Sequence, residues 1–284
     1  VSGYVGTPPV RPTLGTVARK YLNIFRASLV ERMTYRGDFL LGTVLRFLPV
    51  MTTILLWEAV YRGSSETDFA GFDRDSMIAY LLLIHISRMF SSMPGLASGI
   101  SRDIRDGSLK KYLLQPLDMI GYLVSYRAAH KAAYIATSAL PYAGLFFVCR
   151  NYFPGFPDVP TLLGYLLSLV LSFLIGFFFE ACMGMVGFWM LEVTSLLWIV
   201  TTLSYFISGQ MVPLDLLPGF WGTLVKALPF QYLAYFPAVV FLGRKTGTDL
   251  VVGLAVQAAW VVAFALLTRW LYARGLRRYS AFGG

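Results

Sequence analysis

Six stretches of the chain are apolar over lengths suited to crossing a membrane: Phe39–Tyr61, Met77–Ile100, Ala132–Val148, Pro160–Gly187, Thr194–Gly209 and Leu250–Tyr272. A helix needs about 20 such residues to cross a hydrocarbon core of ~30 Å. The third and fifth stretches are the short ones. A further apolar region, Met211–Gly243, is interrupted by Pro213, Pro218, Pro229 and Pro237. Proline removes an interior helix hydrogen bond. The pattern there predicts short helical pieces that dip into the membrane from one side, where protein or water satisfies the broken backbone. The fold class expected is an all-α membrane protein with six transmembrane helices and an extracellular re-entrant helical hairpin (210–243) between the fifth and sixth.

Ahead of the first span, residues 1–16 hold three prolines and three glycines and read as a flexible lead-in. Residues 17–284 read as one domain. Over Val17–Tyr35, apolar positions (Val17, Tyr21, Ile24, Phe25, Leu29) gather near one face with Ser28, and Arg19, Lys20, Arg26 and Arg32 lie elsewhere. That spacing predicts an amphipathic helix lying on the membrane surface.

Polar positions inside the spans are few, and each is costly in lipid. Arg46 lies within the first span and Arg88 near the middle of the second, with His85 three residues earlier on the same helix face. Glu180 falls toward the far end of the fourth span. Its expected depth matches Arg46 better than Arg88, which predicts an Arg46–Glu180 pair. Arg88 and His85 read either as a polar lining of a transport path or as groups satisfied within a helix bundle. Glu58 belongs at the opposite interface, in water. Gly95 and Gly99 predict a close helix–helix approach.

Composition sharpens this picture. Hydrophobic residues make up 57% of the chain and charged ones only 14%, against about 25% charged in a soluble domain. A water-soluble enzyme and a disordered chain are both excluded. The net charge of +9 would suggest nucleic acid in a soluble protein. Here 16 of the 24 basic residues fall before span one, between spans two and three, and at the end of span six or after it (Arg269, Arg274, Arg277 and Arg278). Basic residues favour the cytoplasmic side, so both termini are expected to be cytoplasmic and no nucleic-acid partner is expected. Cys149 and Cys182 lie near opposite membrane faces and are expected to be unbonded structural thiols.

Chemical motifs are scarce. The chain has no G-x-x-x-x-G-K-[ST], no H-E-x-x-H and no G-x-S-x-G. Its two histidines, His85 and His130, have no acidic residue at helical spacing. No catalytic residue, metal site or cofactor bound by this chain is expected.

Two segments carry more information. After the second span runs Ile100-Ser-Arg-Asp-Ile-Arg-Asp-Gly-Ser-Leu-Lys-Lys-Tyr-Leu-Leu-Gln-Pro116. Its charges alternate in sign beside apolar Ile104, Leu109 and Tyr112–Leu114, a composition suited to docking on another protein. After the fifth span come Ser208-Gly-Gln-Met-Val-Pro-Leu-Asp-Leu-Leu-Pro218, then Leu228-Pro-Phe230 and Leu242-Gly243. In these motifs, their order and their spacing, the chain resembles the permease subunits of type-2 ATP-binding cassette (ABC) exporters. That family's pattern is similar to I-x-x-[DE]-I-R-x-G-[ST]-L…L-L-x-P followed by S-G-x-x-x-P-x-x-x-L-P, L-P-F and [FL]-G. The ending Arg277-Arg278-Tyr279…Gly283-Gly284 is similar to one branch of it.

The resemblance implies several roles. Val17–Tyr35 would be the interface helix. Within the cytoplasmic loop 101–118, residues Arg102, Asp103, Ile104, Arg105, Asp106, Leu109, Tyr112 and Leu113 would couple to a separate ATPase subunit. Met211, Pro213, Leu217 and Pro218 would help close the outer gate. Two ATPase subunits carrying ATP and Mg²⁺, and a second permease, identical or related, would complete the unit in the lipid bilayer of a bacterial cytoplasmic membrane. Arg88, His85, Arg46 and Glu180 are the pathway candidates. The competing readings are an ion-gradient-driven secondary transporter and a membrane-embedded lipid enzyme. The substrate is left open.

Overall fold

The computed structural model describes residues 14–34, 36–114, 117–190 and 192–279. Eleven helices are found among them: α1 (Leu14–Thr34), α2 (Arg36–Gly63), α3 (Arg74–Ser91), α4 (Leu96–Arg105), α5 (Lys110–Leu113), α6 (Met119–Val148), α7 (Val159–Met185), α8 (Thr194–Ile207), α9 (Gly219–Ala227), α10 (Tyr235–Phe241) and α11 (Gly247–Leu276). Three helical stretches among the described residues are long and apolar enough to cross a membrane: Arg74–Arg105, Val159–Phe188 and Gly247–Leu276.

Side-chain contacts fix the helix directions. The Tyr61 hydroxyl donates to the Phe72 carbonyl at 2.6 Å, while Val50 and Ile54 pack with Ile78, Leu82 and Cys149, so α2 and α3 are antiparallel. Lys131 reaches Met89 while Tyr142 lies beside His85, so α6 is antiparallel to α3. Along α7 and α11, Gly164 meets Leu250, Ser168 meets Gln257 and Cys182 meets Thr268, so these two run parallel. α8 runs from the α3–α4 junction toward Tyr80 and is antiparallel to α3. The helices α2, α3, α6, α7, α8 and α11 therefore alternate in direction.

Two buried apolar clusters fill the bundle. One joins Phe72, Tyr80, Leu169, Tyr232 and Phe236 near the 208–243 segment. The other joins Leu96, Ile104, Leu109, Met119 and Phe177 at the opposite end. α1 packs along α6. Tyr21, Ile24, Phe25, Ser28 and Leu29 are half or fully buried while Arg19 and Arg26 are exposed, the division expected from the spacing. The helix starts at Leu14, so only residues 1–13 of the expected lead-in lie outside the described residues. Residues 280–284 of the family-like ending also lie outside them.

Several expectations need correction. The second span is not one helix. Ser92 ends α3 in an extended conformation, and Gly95 starts α4 with φ 74°. Pro94 lacks an N–H and disfavours helical geometry at Met93, which is the local cause. A Cβ on Gly95 or Gly99 would meet nothing within 4 Å, so this pair makes no close approach. Gly95 instead supplies the left-handed turn. The close approaches belong to α7. A Cβ on Gly176 would fall inside the Ser91 carbonyl oxygen, and one on Gly184 would lie 2.8 Å from the Ile100 Cβ.

The third helix starts at Met119, thirteen residues before the expected span, because its basic residues are satisfied within the bundle. The all-α expectation also misses a small antiparallel hairpin, β1 (Asp68–Phe69) with β2 (Phe72–Asp73). Ala70 and Gly71 both have positive φ (53° and 82°), as a tight two-residue hairpin turn requires. Arg244 lies 3.4 Å over the Phe72 ring and donates to the Gly71 carbonyl, which ties the hairpin to the start of α11. Glu58 is not simply solvated: its carboxylate accepts from the Tyr152 hydroxyl at 3.4 Å and lies 3.7 Å from Arg62. Both cysteines are buried and unbonded to each other, as expected.

Candidate functional site

The first candidate is the turn that links α4 to α5. α4 buries Leu96, Ala97, Ile100, Ser101 and Ile104 against the end of α7. This leaves Arg102, Arg105 and Asp106 exposed on the other side. Gly107 has φ 73°, and the Leu109 N–H returns to the Asp103 carbonyl at 2.9 Å, closing a compact turn. Asp103 also holds Lys111 at 2.8 Å. Burial pulls the Lys111 ammonium down, but the bond to Asp103 and the adjoining Tyr112 outweigh it, and the pKa ends above its ordinary value. Lys111 lies 4.8 Å over the Tyr112 ring, which packs 5.6 Å from Tyr122.

The eight coupling candidates therefore divide. Arg102, Arg105, Asp106 and Leu113 are presented outward. Asp103 and Tyr112 brace the turn. Ile104 and Leu109 are buried in the chain's own core. Leu114, which the pattern did not single out as a site residue, is the most exposed apolar side chain of the turn at 83%.

The second candidate is a cleft of about 550 Å³ at the break between α3 and α4. Arg88 and Glu180 both line it, along with Pro94, Ala97, Ser98 and the α8 residues Thr194, Trp198 and Thr201. Arg88 donates to the Ser91 hydroxyl at 3.2 Å, and Ser91 donates on to the Leu233 carbonyl at 2.7 Å. The Arg88 guanidinium acts on the Glu180 carboxylate more strongly than that of Arg127 does. Arg88 and Glu180 make no salt bridge within 4.0 Å, so the two charges face the cleft as a coupled but open pair. His85 is not with them: its ring lies 6.5 Å from Tyr142, toward α6. The 100° step of a helix separates residues three apart by ~60°, enough to put His85 and Arg88 against different neighbours. Arg46 lies in α2, but its side chain is outside the described residues, and so is the expected Arg46–Glu180 pair.

The third candidate is the segment after α8. Gly209 turns the chain with φ 80°, and its carbonyl accepts from the Tyr80 hydroxyl at 2.5 Å. Short 3-10 turns at Leu214–Leu216 and Pro229–Leu233 alternate with α9 and α10, and Pro213, Pro218 and Pro229 stand at their starts. Asp215 gathers Lys226 at 2.7 Å and the Tyr235 hydroxyl at 2.8 Å. Of the gate candidates, Pro213 is buried, Leu217 half-buried, and Met211 and Pro218 exposed. α10 is buried between α3 and α7.

Sequence reasoning missed the groups that hold this framework. Lys131 donates to the Met89 carbonyl at 2.6 Å and the Ser92 carbonyl at 2.5 Å. Arg127 donates to the Pro94 carbonyl at 3.0 Å. Of two basic residues counted as markers of membrane sidedness, Lys131 thus caps the open end of α3 and Arg127 holds the Pro94 turn that follows it. The Pro94-Gly95 pair inside an apolar run was the available signal. Ser172 and Gln257 were also missed. Ser172 donates to the Tyr232 carbonyl at 2.6 Å, and the Gln257 amide donates to the Ser168 carbonyl at 3.0 Å. Among the described residues, no group of three or more His, Cys, Asp or Glu side chains is placed to hold a metal ion.

Comparison with known families matches residues 47–283, well over half the chain, to a family model described as ABC-2 family transporter protein. No curated protein matches the chain.

Proposed function

The chain belongs to the ABC-2 transporter family, and we propose that it is the transmembrane permease subunit of an ATP-driven exporter. In this reading α2, α3–α4, α6, α7, α8 and α11 are six membrane crossings, which their alternating directions support. Both termini and the α4–α5 turn face the cytoplasm. The 208–243 segment is the outer re-entrant region. Two separate ATPase subunits bind ATP and Mg²⁺, and a second permease shares the pathway.

The observation that carries the reading is the α4–α5 turn. It exposes Arg102, Arg105, Asp106 and Leu114 on a rigid knob whose other face is locked into α7. A motion imposed on that knob passes along α4 to the wall of the Arg88–Glu180 cleft. The cleft would be part of the exported substrate's route, with α8 as its movable side.

The test is purification of the chain with its ATPase subunits in mild detergent, followed by substrate-stimulated ATP hydrolysis. Arg102→Ala, Arg105→Ala and Asp106→Ala together leave the Asp103–Lys111 brace intact. They are expected to abolish co-purification or stimulation while the permease itself melts within ~2 °C of the parent, as for surface substitutions. Unchanged co-purification and unchanged stimulation would overturn the assignment.

A further inference from the structure

The end of α11 carries a second feature, remote from the cleft and the α4–α5 turn. A pocket of about 430 Å³ is lined by Trp189, Trp270, Leu271, Arg274, Arg277 and Arg278. No acidic residue lines it. Arg269, one turn earlier, is held by Asp118 at 2.8 Å. Among the described residues, Arg274, Arg277 and Arg278 form no salt bridge, and all three are exposed. Arg274 lies 5.5 Å over the Trp270 ring.

The pocket is built from two elements. α7 ends in a 3-10 turn, Val186–Phe188, which delivers Trp189. The Phe188 ring packs directly on Gly275, where any Cβ would collide with it. That contact places Trp189 opposite Trp270 and Arg274. Leading to the pocket along α11 is an exposed apolar stripe: Val262 (57%), Leu266 (66%) and Trp270 (54%). The spacing of four continues to Arg274, so the stripe winds gradually round the helix and each member adjoins the next, ending at the cation.

We propose that this face of α11 binds one anionic phospholipid, its acyl chain along Val262, Leu266 and Trp270 and its phosphate among Arg274, Arg277 and Arg278. The site rests on α11 being a membrane crossing and is independent of what is transported. The charge pattern identifies the occupant. Guanidinium groups bind phosphate oxygens through paired N–H donors. Tryptophan rings sit at headgroup level, where one edge is apolar and the other wet. The apolar stripe ending in three unneutralised cations matches a chain joined to a negative headgroup. A soluble anion would leave the stripe uncovered, and a zwitterionic lipid would bring its own cation against the arginines.

The test uses the full-length chain in mixed micelles, with quenching of tryptophan fluorescence by dibrominated phosphatidylglycerol or dibrominated phosphatidylcholine. Each arginine near an anionic headgroup is expected to contribute about fivefold. The parent should prefer phosphatidylglycerol by tenfold or more. Arg274→Gln, Arg277→Gln and Arg278→Gln together should fall to near parity. The triple Lys variant, which keeps the charge, should retain most of the preference and shows that loss in the Gln variant is not misfolding. Equal quenching by both lipids in the parent, the outcome if a second copy of the chain covers the stripe, overturns the proposal. So does a preference erased by 10 mM inorganic phosphate, or one unchanged in the Gln variant. The assay needs no ATPase subunit. A missing lipid preference leaves the exporter reading standing, and failed ATPase coupling leaves the lipid site standing.

Discussion

Lys131→Met tests whether the break in the second long helix is held by one ammonium group. Lys131 sits in the middle of α6 and donates to the carbonyls of Met89 and Ser92 at 2.6 and 2.5 Å. Those carbonyls belong to the end of α3, where intrahelical partners run out. The positive charge also lies at the negative end of the α3 dipole. Methionine keeps the length and apolar stem of the side chain, so the change removes only the charged donor. A hydrogen bond to a charged group contributes ~1.5–3 kcal/mol. Two bonds from one half-buried ammonium, not strictly additive, place the loss at ~2–4 kcal/mol. At ~2–4 °C per kcal/mol for a chain of this size, the melting temperature should fall by on the order of 5–15 °C. The assay is thermal unfolding in detergent, followed by loss of the monodisperse peak in size-exclusion chromatography. Lys131→Arg, which can still reach both carbonyls, should recover most of the difference. A fall of less than ~2 °C for Lys131→Met, equivalent to under ~1 kcal/mol, would refute the claim that this cap holds the break.

Other substitutions read different joints of the same framework. Gly176→Ala places a methyl group inside the Ser91 carbonyl; overpacking of this kind costs ~1–3 kcal/mol or more, and a lower melting temperature or loss of folded yield is expected, while Gly99→Ala, with open space around it, should be nearly neutral. Asp73 caps the start of α3 by accepting from the Ser76 N–H, and hydrogen bonding from Ser76, its side-chain hydroxyl above all, holds the Asp73 carboxyl below the ordinary value. Its stabilisation is therefore fully present above the unfolded-state pKa and is lost as pH falls through the lower folded value; Asp73→Ala should cost ~1 kcal/mol at neutral pH and flatten the acid limb of melting temperature against pH. Arg88→Met and Glu180→Gln should each impair transport, and a double-mutant cycle on melting should return a coupling of ~0.5–2 kcal/mol, with zero coupling as the result that breaks the pair.

Much of the helix plan was legible because its signal is local. An apolar run long enough for a bilayer is visible as composition, and the face of α1 is visible as spacing. What stayed hidden depends on neighbours distant in sequence. Nothing near Lys131 says that Ser92 lies beside it; a basic residue at that position reads equally well as a topology marker. The same holds for Ser172 and Gln257, whose bonds to Tyr232 and Ser168 join segments dozens of residues apart. The charged candidates show the limit from the other side. Depth along a straight helix paired Glu180 with Arg46, whose side chain lies outside the described residues; it could not show that the break at Ser92–Gly95 also brings Arg88 and Glu180 to one cleft. The exposed candidates for coupling were legible as a motif, yet Ile104 and Leu109 of that motif are buried in the interior.

That interruption is also what relates the two ends of the proposed machine. α4 has 10 residues, so it is ~15 Å long. At one end it carries Arg102 and Arg105, and at the other it carries Ala97 and Ser98 into the cleft wall. Its buried face is keyed to two glycines, Gly184 of α7 against Ile100 and Gly187 of the following 3-10 turn against Ser101. α3 is fastened separately, by Lys131 from α6, and Arg127 holds the Pro94 carbonyl of the turn itself. An uninterrupted helix would carry any force on the turn straight along α3 to the Tyr80–Gly209 contact, with no joint in between. The Pro94-Gly95 turn divides the path. In the proposed exporter a push on the α4–α5 turn would carry α4 together with the end of α7 to which it is locked, while Lys131 keeps α3 in place, so displacement would fall at the cleft between Arg88, Glu180 and α8. α8 suits that position. It has 14 residues, many exposed, and Ser204 is its only buried side chain among those described. An element with little packing to lose thus faces the wall that would move in the proposed exporter.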